Sequence, residues 1–139
     1  IDNLACFAAP GVVLALTASD DDDPNLPILE DNLARLRGAR DAAGRELEVI
    51  ESAAPAARTT EDGRRFPASY INFYLANGAA IVPMFDDPMD STAFAAIEAA
   101  FPDRQIVEID ASLLIEGGGG IHCVTHEQPK AGDEDQADS

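Results

Sequence analysis

The chain has 139 residues, 46% of them hydrophobic, which is enough apolar material for one packed domain and excludes a wholly disordered protein. Its formal net charge is −17, with Lys130 the single lysine among nine basic residues, so a nucleic-acid backbone would meet a repulsive field. No apolar run approaches the roughly 20 residues that span a bilayer. Ile1-Asp2-Asn3 shows neither an initiator Met nor a charged lead into an apolar stretch, so the sequence reads as soluble and cytoplasmic, and as a fragment whose beginning lies upstream.

Residues 3 to 8 (Asn-Leu-Ala-Cys-Phe-Ala) and 12 to 16 (Val-Val-Leu-Ala-Leu) are apolar runs on either side of Ala9-Pro10-Gly11. Pro presets one turn dihedral and Gly tolerates a positive φ, so a hairpin is predicted. Asp20 to Asp23 then carry four negative charges ahead of Pro24. Leu26, Leu29, Leu33 and Leu36 follow at spacings of three, four and three, the stripe of a helix predicted to end near Gly44. Leu47 to Ile50 reads as the returning strand.

The same order recurs after a polar connection from Ser52 to Pro67. Residues 70 to 75 (Tyr-Ile-Asn-Phe-Tyr-Leu) and 79 to 83 are strand-like around the turn dipeptide Asn77-Gly78. Phe94, Ile97 and Phe101 mark one helix face, and Ile106 to Ile109 is the next strand. Asn3-Leu4 and Ile50-Glu51 are expected at places equivalent to Asn72-Phe73 and Ile109-Asp110. Two copies of a β-β-α-β unit predict an α/β repeat architecture in which each copy needs neighbours to cover its edges.

A third element begins after Leu113 to Ile115, where Gly117 to Gly120 lead into Ile121-His122-Cys123-Val124-Thr125, predicted as a short strand presenting the cysteine. Residues 1–130 form the expected folded part. The tail over 131–139, with Asp133, Glu134, Asp135 and Asp138, is acidic, lacks apolar periodicity and is expected to be disordered. The charge outside the two acidic clusters still favours approach of a small cation, although an Asp-rich, Lys-poor surface also suits a salty or otherwise biased proteome.

Cys123, just past a glycine-led turn, is placed either to project into a cleft or to pack as a buried strand cysteine. Cys6, between Ala5 and Phe7 in a hairpin strand, reads as packing. Distant in sequence and without paired spacing, the two suggest neither a disulfide framework nor a zinc site. A thiol with a pKa near 8.5 needs activation. Neighbours on a strand point to opposite faces, so His122 is not expected to share a pocket with Cys123, and His126 has the wrong parity as well. The glycine run lacks the Lys and Ser/Thr of a P-loop. His122, Cys123 and His126 match no regular metal-ligand spacing, so neither metal nor other cofactor is expected.

Gly117 to Thr125, followed by Gln128-Pro129, resembles the catalytic segment of agmatine deiminases. The resemblance extends to Ser69-Tyr70-Ile71-Asn72-Phe73-Tyr74-Leu75-Ala76-Asn77-Gly78, to Phe101-Pro102-Asp103-Arg104 and to Asp2-Asn3-Leu4-Ala5-Cys6-Phe7. It implies a five-bladed α/β propeller of β-β-α-β units, the pentein fold, of which this chain would hold about two blades plus the strand bearing the cysteine. It implies that Cys123 attacks the guanidinium carbon of agmatine, that ammonia leaves, and that water hydrolyses the amidino-thioether to N-carbamoylputrescine, a step toward putrescine and other polyamines. It further implies that Asp2, as the aspartate of a Gly-His-x-Asp motif, binds the guanidinium. The histidine base would lie just before Ile1, outside the chain, so an isolated 139-residue piece is not expected to be a competent enzyme.

Physically the roles are coherent, since carboxylates accept the forked N–H donors of a planar cation and a cationic neighbour favours a thiolate. Without the resemblance Asp2 would read as an ordinary strand-edge charge. Two alternatives stand beside the agmatine reading. One is a peptidyl-arginine deiminase, which would need an open cleft and recognition of a carboxylate. The other is a non-catalytic ligand-binding or assembly module descended from the enzyme. The expected partner is a small cationic guanidine; a homo-oligomer stays open.

Overall fold

The computed structural model describes residues 1–129, so the acidic tail predicted over 131–139 lies outside the described residues. Pro10-Gly11, with Gly11 at φ +81°, turns strand β1 (Ala5–Ala9) back antiparallel onto β2 (Val12–Thr17). Helix α1 (Leu26–Gly38) has Pro in its first turn and buries Leu29 and Leu33 of the predicted stripe. It carries the chain over to β3 (Glu48–Ala53), which pairs in parallel with β2.

The second unit repeats this plan. Asn77-Gly78 joins β4 (Tyr74–Ala76) to β5 (Ala79–Met84), and helix α2 (Asp90–Ala100) leads to β6 (Gln105–Asp110), parallel to β5. The hydrogen bonds that bracket the two parallel strand pairs correspond. Glu48 N–H donates to Gly11 O and Gln105 N–H to Gly78 O; Ala54 N–H donates to Thr17 O and Ala111 N–H to Met84 O. The result is a mixed α/β fold of two three-stranded sheets, ordered β1-β2-β3 and β4-β5-β6, with a third short helix, α3 (Ser112–Glu116). One core joins the units: Leu14, Leu16 and Leu29 of the first cluster with Val82, Phe85, Ile97 and Phe101 of the second, and α2 packs on β3 of the first sheet. Among the described residues no helix is long and apolar enough to cross a membrane.

Several expectations need correction. The first helix ends at Gly38, not near Gly44. Asp41 accepts hydrogen bonds from the N–H groups of Ala43 and Arg45, making a separate turn with Gly44 at φ +80°. The strand predicted over 70 to 75 shrinks to Tyr74–Ala76, because Tyr70, Ile71, Asn72 and Phe73 are drawn into the interior. The expected equivalence of strand starts is also out of step. Ala8 bulges out of the β1–β2 ladder, so Leu4 rather than Asn3 matches Asn72, and the parallel registers align Ile50 with Val107 rather than Ile109.

Candidate active site

The segment holding Cys123 is not a strand. After α3 the glycine run turns the chain, Ile121 anchors it in the core, and His122–Val124 forms one turn of 3-10 helix. The β-branched pattern of Ile121, Val124 and Thr125 is overridden by this anchoring and by two acceptors on Asn72. The His122 N–H donates to the Asn72 side-chain Oδ1 at 3.0 Å and lies 3.2 Å from the Asn72 main-chain oxygen.

This turn brings Cys123 and Asp2 together. The Cys123 Sγ lies 3.5 Å from Asp2 Oδ2, across 121 positions of sequence. Parity across a strand no longer applies, and His122 joins them, its Nδ1 3.6 Å from the same Asp2 oxygen. The expectation that His122 and Cys123 face apart is therefore corrected: consecutive residues of a tight turn lean toward one carboxylate. His126 is exposed. Partial burial opposes the charge on Asp2, whereas hydrogen bonds from the Cys123 thiol and its own backbone N–H favour it, and its carboxyl lies below the usual value.

The two cysteines occupy different surroundings. Cys123 is exposed, whereas Cys6 is half-buried against the core, and burial pushes its thiol up to about 11. Burial therefore favours the protonated, less nucleophilic form of Cys6.

Sequence reasoning did not single out Asn72. It is 1% exposed, and its Nδ2 donates to Asp2 Oδ2 at 3.0 Å and lies 3.5 Å from Cys123 Sγ. The signal was available: an amide side chain within the run Tyr70-Ile71-Asn72-Phe73, where it must be paired if buried. Gly120 completes the arrangement, for a Cβ there would stand 2.3 Å from Asn72 Oδ1. Every arginine of the chain bonds elsewhere: to Asp31, Glu51, Glu46, Asp41, Asp62 and Asp23, or, for Arg58 and Arg104, to main-chain oxygens. The exposed face of Asp2 and Cys123 thus pairs a carboxylate and a sulfur without a competing side-chain guanidinium, an arrangement able to receive a planar cation.

A Legionella pneumophila relative is 44% identical over 132 residues, covering 94% of this chain and 38% of its own length. The agmatine deiminase of Pseudomonas fluorescens is 35% identical over 146 residues, covering 93% of this chain and 40% of its own. Among solved structures, the agmatine deiminase of Enterococcus faecalis superposes with a TM-score of 0.85 at 32% identity, over 93% of this chain and 40% of that one. The chain therefore spans about two fifths of the length of the curated relatives it matches. The family model for Porphyromonas-type peptidyl-arginine deiminase matches residues 1–129, and the chain belongs to that family.

Proposed function

We propose that the protein of which residues 1–130 form the C-terminal part of the catalytic domain is an agmatine deiminase, a cofactor-independent amidine hydrolase feeding putrescine synthesis. The observation that carries this reading is the 3.5 Å approach of Cys123 Sγ to Asp2 Oδ2 on an exposed surface. The carboxylate binds the guanidinium N–H groups and orients the carbon toward the sulfur. The Cys123 thiolate adds to that carbon, and collapse of the tetrahedral adduct expels ammonia with a transferred proton. Water then adds to the amidino-thioether, and the C–S bond breaks to return the thiolate and release N-carbamoylputrescine.

Propeller architecture is part of the proposal. It is supported by the matching hydrogen bonds of the two units and by the packing of α2 on β3. Ser52 on β3 is buried, while its counterpart on β6, Ile109, is 43% exposed, as expected of a face that takes the next blade.

A second reading, peptidyl-arginine deimination, is favoured by the name of the family model. Within residues 1–129 every arginine bonds elsewhere, so this part of the site supplies no partner for a substrate carboxylate, which supports the agmatine reading.

The test is ammonia release by the full-length protein from agmatine and from arginine-containing peptides. Cys123→Ser is expected to reduce release from agmatine at least about a thousandfold. Asp2→Asn is expected to raise KM by about tenfold, the size of one lost charge-assisted hydrogen bond. Cys6→Ser and added chelator should leave turnover within about twofold, since neither touches the nucleophile. Near-parent turnover by folded Cys123→Ser would end the nucleophile assignment, and faster release from peptides than from agmatine would exchange the two substrate readings.

A further inference from the structure

We propose that Asn72 is a positioning residue for this site: its carboxamide holds the Asp2 carboxylate and the Cys123 turn in register, so that acid and sulfur meet the same guanidinium. The inference rests on the functional reading above and assigns a role to a residue outside the cysteine and aspartate it names. The orientation of the amide is fixed chemically. A main-chain N–H can only donate and a carboxylate can only accept, so Oδ1 must face His122 N at 3.0 Å and Nδ2 must face Asp2 Oδ2 at 3.0 Å. Nδ2 also lies 3.5 Å from Cys123 Sγ. One planar group thereby ties three parts of the chain together, and it is rigid because Tyr70, Ile71 and Phe73 on either side are buried in the core.

The glycine run is shaped to this amide. Gly118, at φ +91°, is the one member with a left-handed backbone. Gly120 does not have a positive φ; it must lack a Cβ because that atom would sit 2.3 Å from Asn72 Oδ1 and 2.9 Å from its Cγ. Gly119 is likewise crowded, its Cβ position 3.1 Å from Cys123 Cβ. A buried asparagine serving only to fill space would need no donor aimed at Asp2; the positioning role requires one.

The experiment uses the full-length protein and two isosteric alkylating agents, cationic chloroacetamidine and neutral chloroacetamide, with labelling of Cys123 followed by peptide mass mapping. The ratio of the two rates reports whether Asp2 is aimed at a cation beside the sulfur. Asn72→Ala should fold, because His122 N–H keeps the main-chain Asn72 oxygen at 3.2 Å and Asp2, 35% exposed at its side chain, can be rehydrated. Its cation preference should fall about tenfold, as for loss of a charge-assisted hydrogen bond. Gly120→Ala should lose the same preference and also melt lower by displacing the amide. The double variant Asn72→Ala/Gly120→Ala should recover most of the melting temperature, since the clashes with Oδ1 and Cγ are gone and only the 3.2 Å approach to Cβ remains, but not the preference. A double variant that regains the preference, or an Asn72→Ala protein within twofold of the parent ratio, would overturn the positioning role. The readout needs no turnover, so failure of full-length protein to release ammonia would count against the functional reading while leaving this test decisive.

Discussion

In the first β-β-α-β unit the N–H of Leu16 donates to the oxygen of Leu4 at 2.8 Å, prolonging the sheet beyond β1; in the second unit the matching residue is Pro83, which has no N–H to give. The oxygen of Asn72, counterpart of Leu4, takes the N–H of His122 instead. One absent donor thus separates a plain sheet edge from the surface on which the Cys123 turn docks. A second contrast lies above the strands. Asp23 and Asp90 fall at the same place after the turn glycines Gly11 and Gly78, and both are buried. Asp23 takes both guanidinium nitrogens of Arg65, at 2.6 and 2.8 Å, whereas Asp90 accepts from the Tyr70 hydroxyl at 2.6 Å and from the N–H groups of Phe85 and Asp87. The repeat fixes where an acid stands, and the surroundings decide what it holds.

The sharpest way to break this comparison is to remove each acid. Asp90→Ala leaves a buried phenol and interior N–H groups unpaired, and should cost about 3 kcal/mol in urea unfolding. Asp23→Ala should cost less, about 2 kcal/mol, because Arg65 is partly exposed and can be rehydrated. The reverse order would show that the two acids are not distinguished by the burial of their partners. A smaller effect is expected at Pro83→Ala, about 1–2 kcal/mol, since the new N–H must compete with His122 for the Asn72 oxygen. Hydrogen exchange at the His122 amide should quicken in that variant. A stabilised protein with unchanged His122 protection would mean that the missing donor does not release the acceptor.

How much of this was legible in the sequence follows from how local each signal is. Pro10-Gly11 and Asn77-Gly78 declare their turns within two residues, and the leucines of α1 report one face by spacing alone, so both units were readable. The Ala8 bulge shifted the alignment of Asn3 and Asn72 by one because a bulge leaves no compositional mark. Cys123 stood out as a candidate from its place after the glycines, but Asp2 was joined to it only through family resemblance, since nothing local joins positions 121 apart. The run Ile121-His122-Cys123-Val124-Thr125 has a strand's composition, yet it folds as a helical turn. The acceptors that hold it belong to Asn72, about fifty residues earlier, as the 50-residue separation of that hydrogen bond records.

The smallest predicted effect sets the two buried acids against each other across pH. Hydrogen bonding from Arg65 holds the Asp23 carboxyl below its ordinary value against the opposing influence of burial, with the Asn25 N–H and then the Arg65 charge adding less. A carboxyl whose folded pKa is depressed contributes stability that is complete above its unfolded value of about 3.9, and loses it as pH falls through the folded one. The first unit should therefore weaken in acid, below about pH 4. Tyr70 is shifted the other way: burial, and then the Asp90 carboxylate, push its phenol above the usual range. Its contribution is complete below the unfolded value of about 10 and is lost as pH rises beyond it. Urea midpoints across pH should consequently fall at both extremes, with Arg65→Ala flattening only the acid limb and Tyr70→Phe only the alkaline limb. Each change in slope should correspond to no more than about 1 kcal/mol, because Arg65 is partly solvated and other groups titrate alongside. If Arg65→Ala flattens the alkaline limb instead, the separation of the two units by the partners of their acids is wrong.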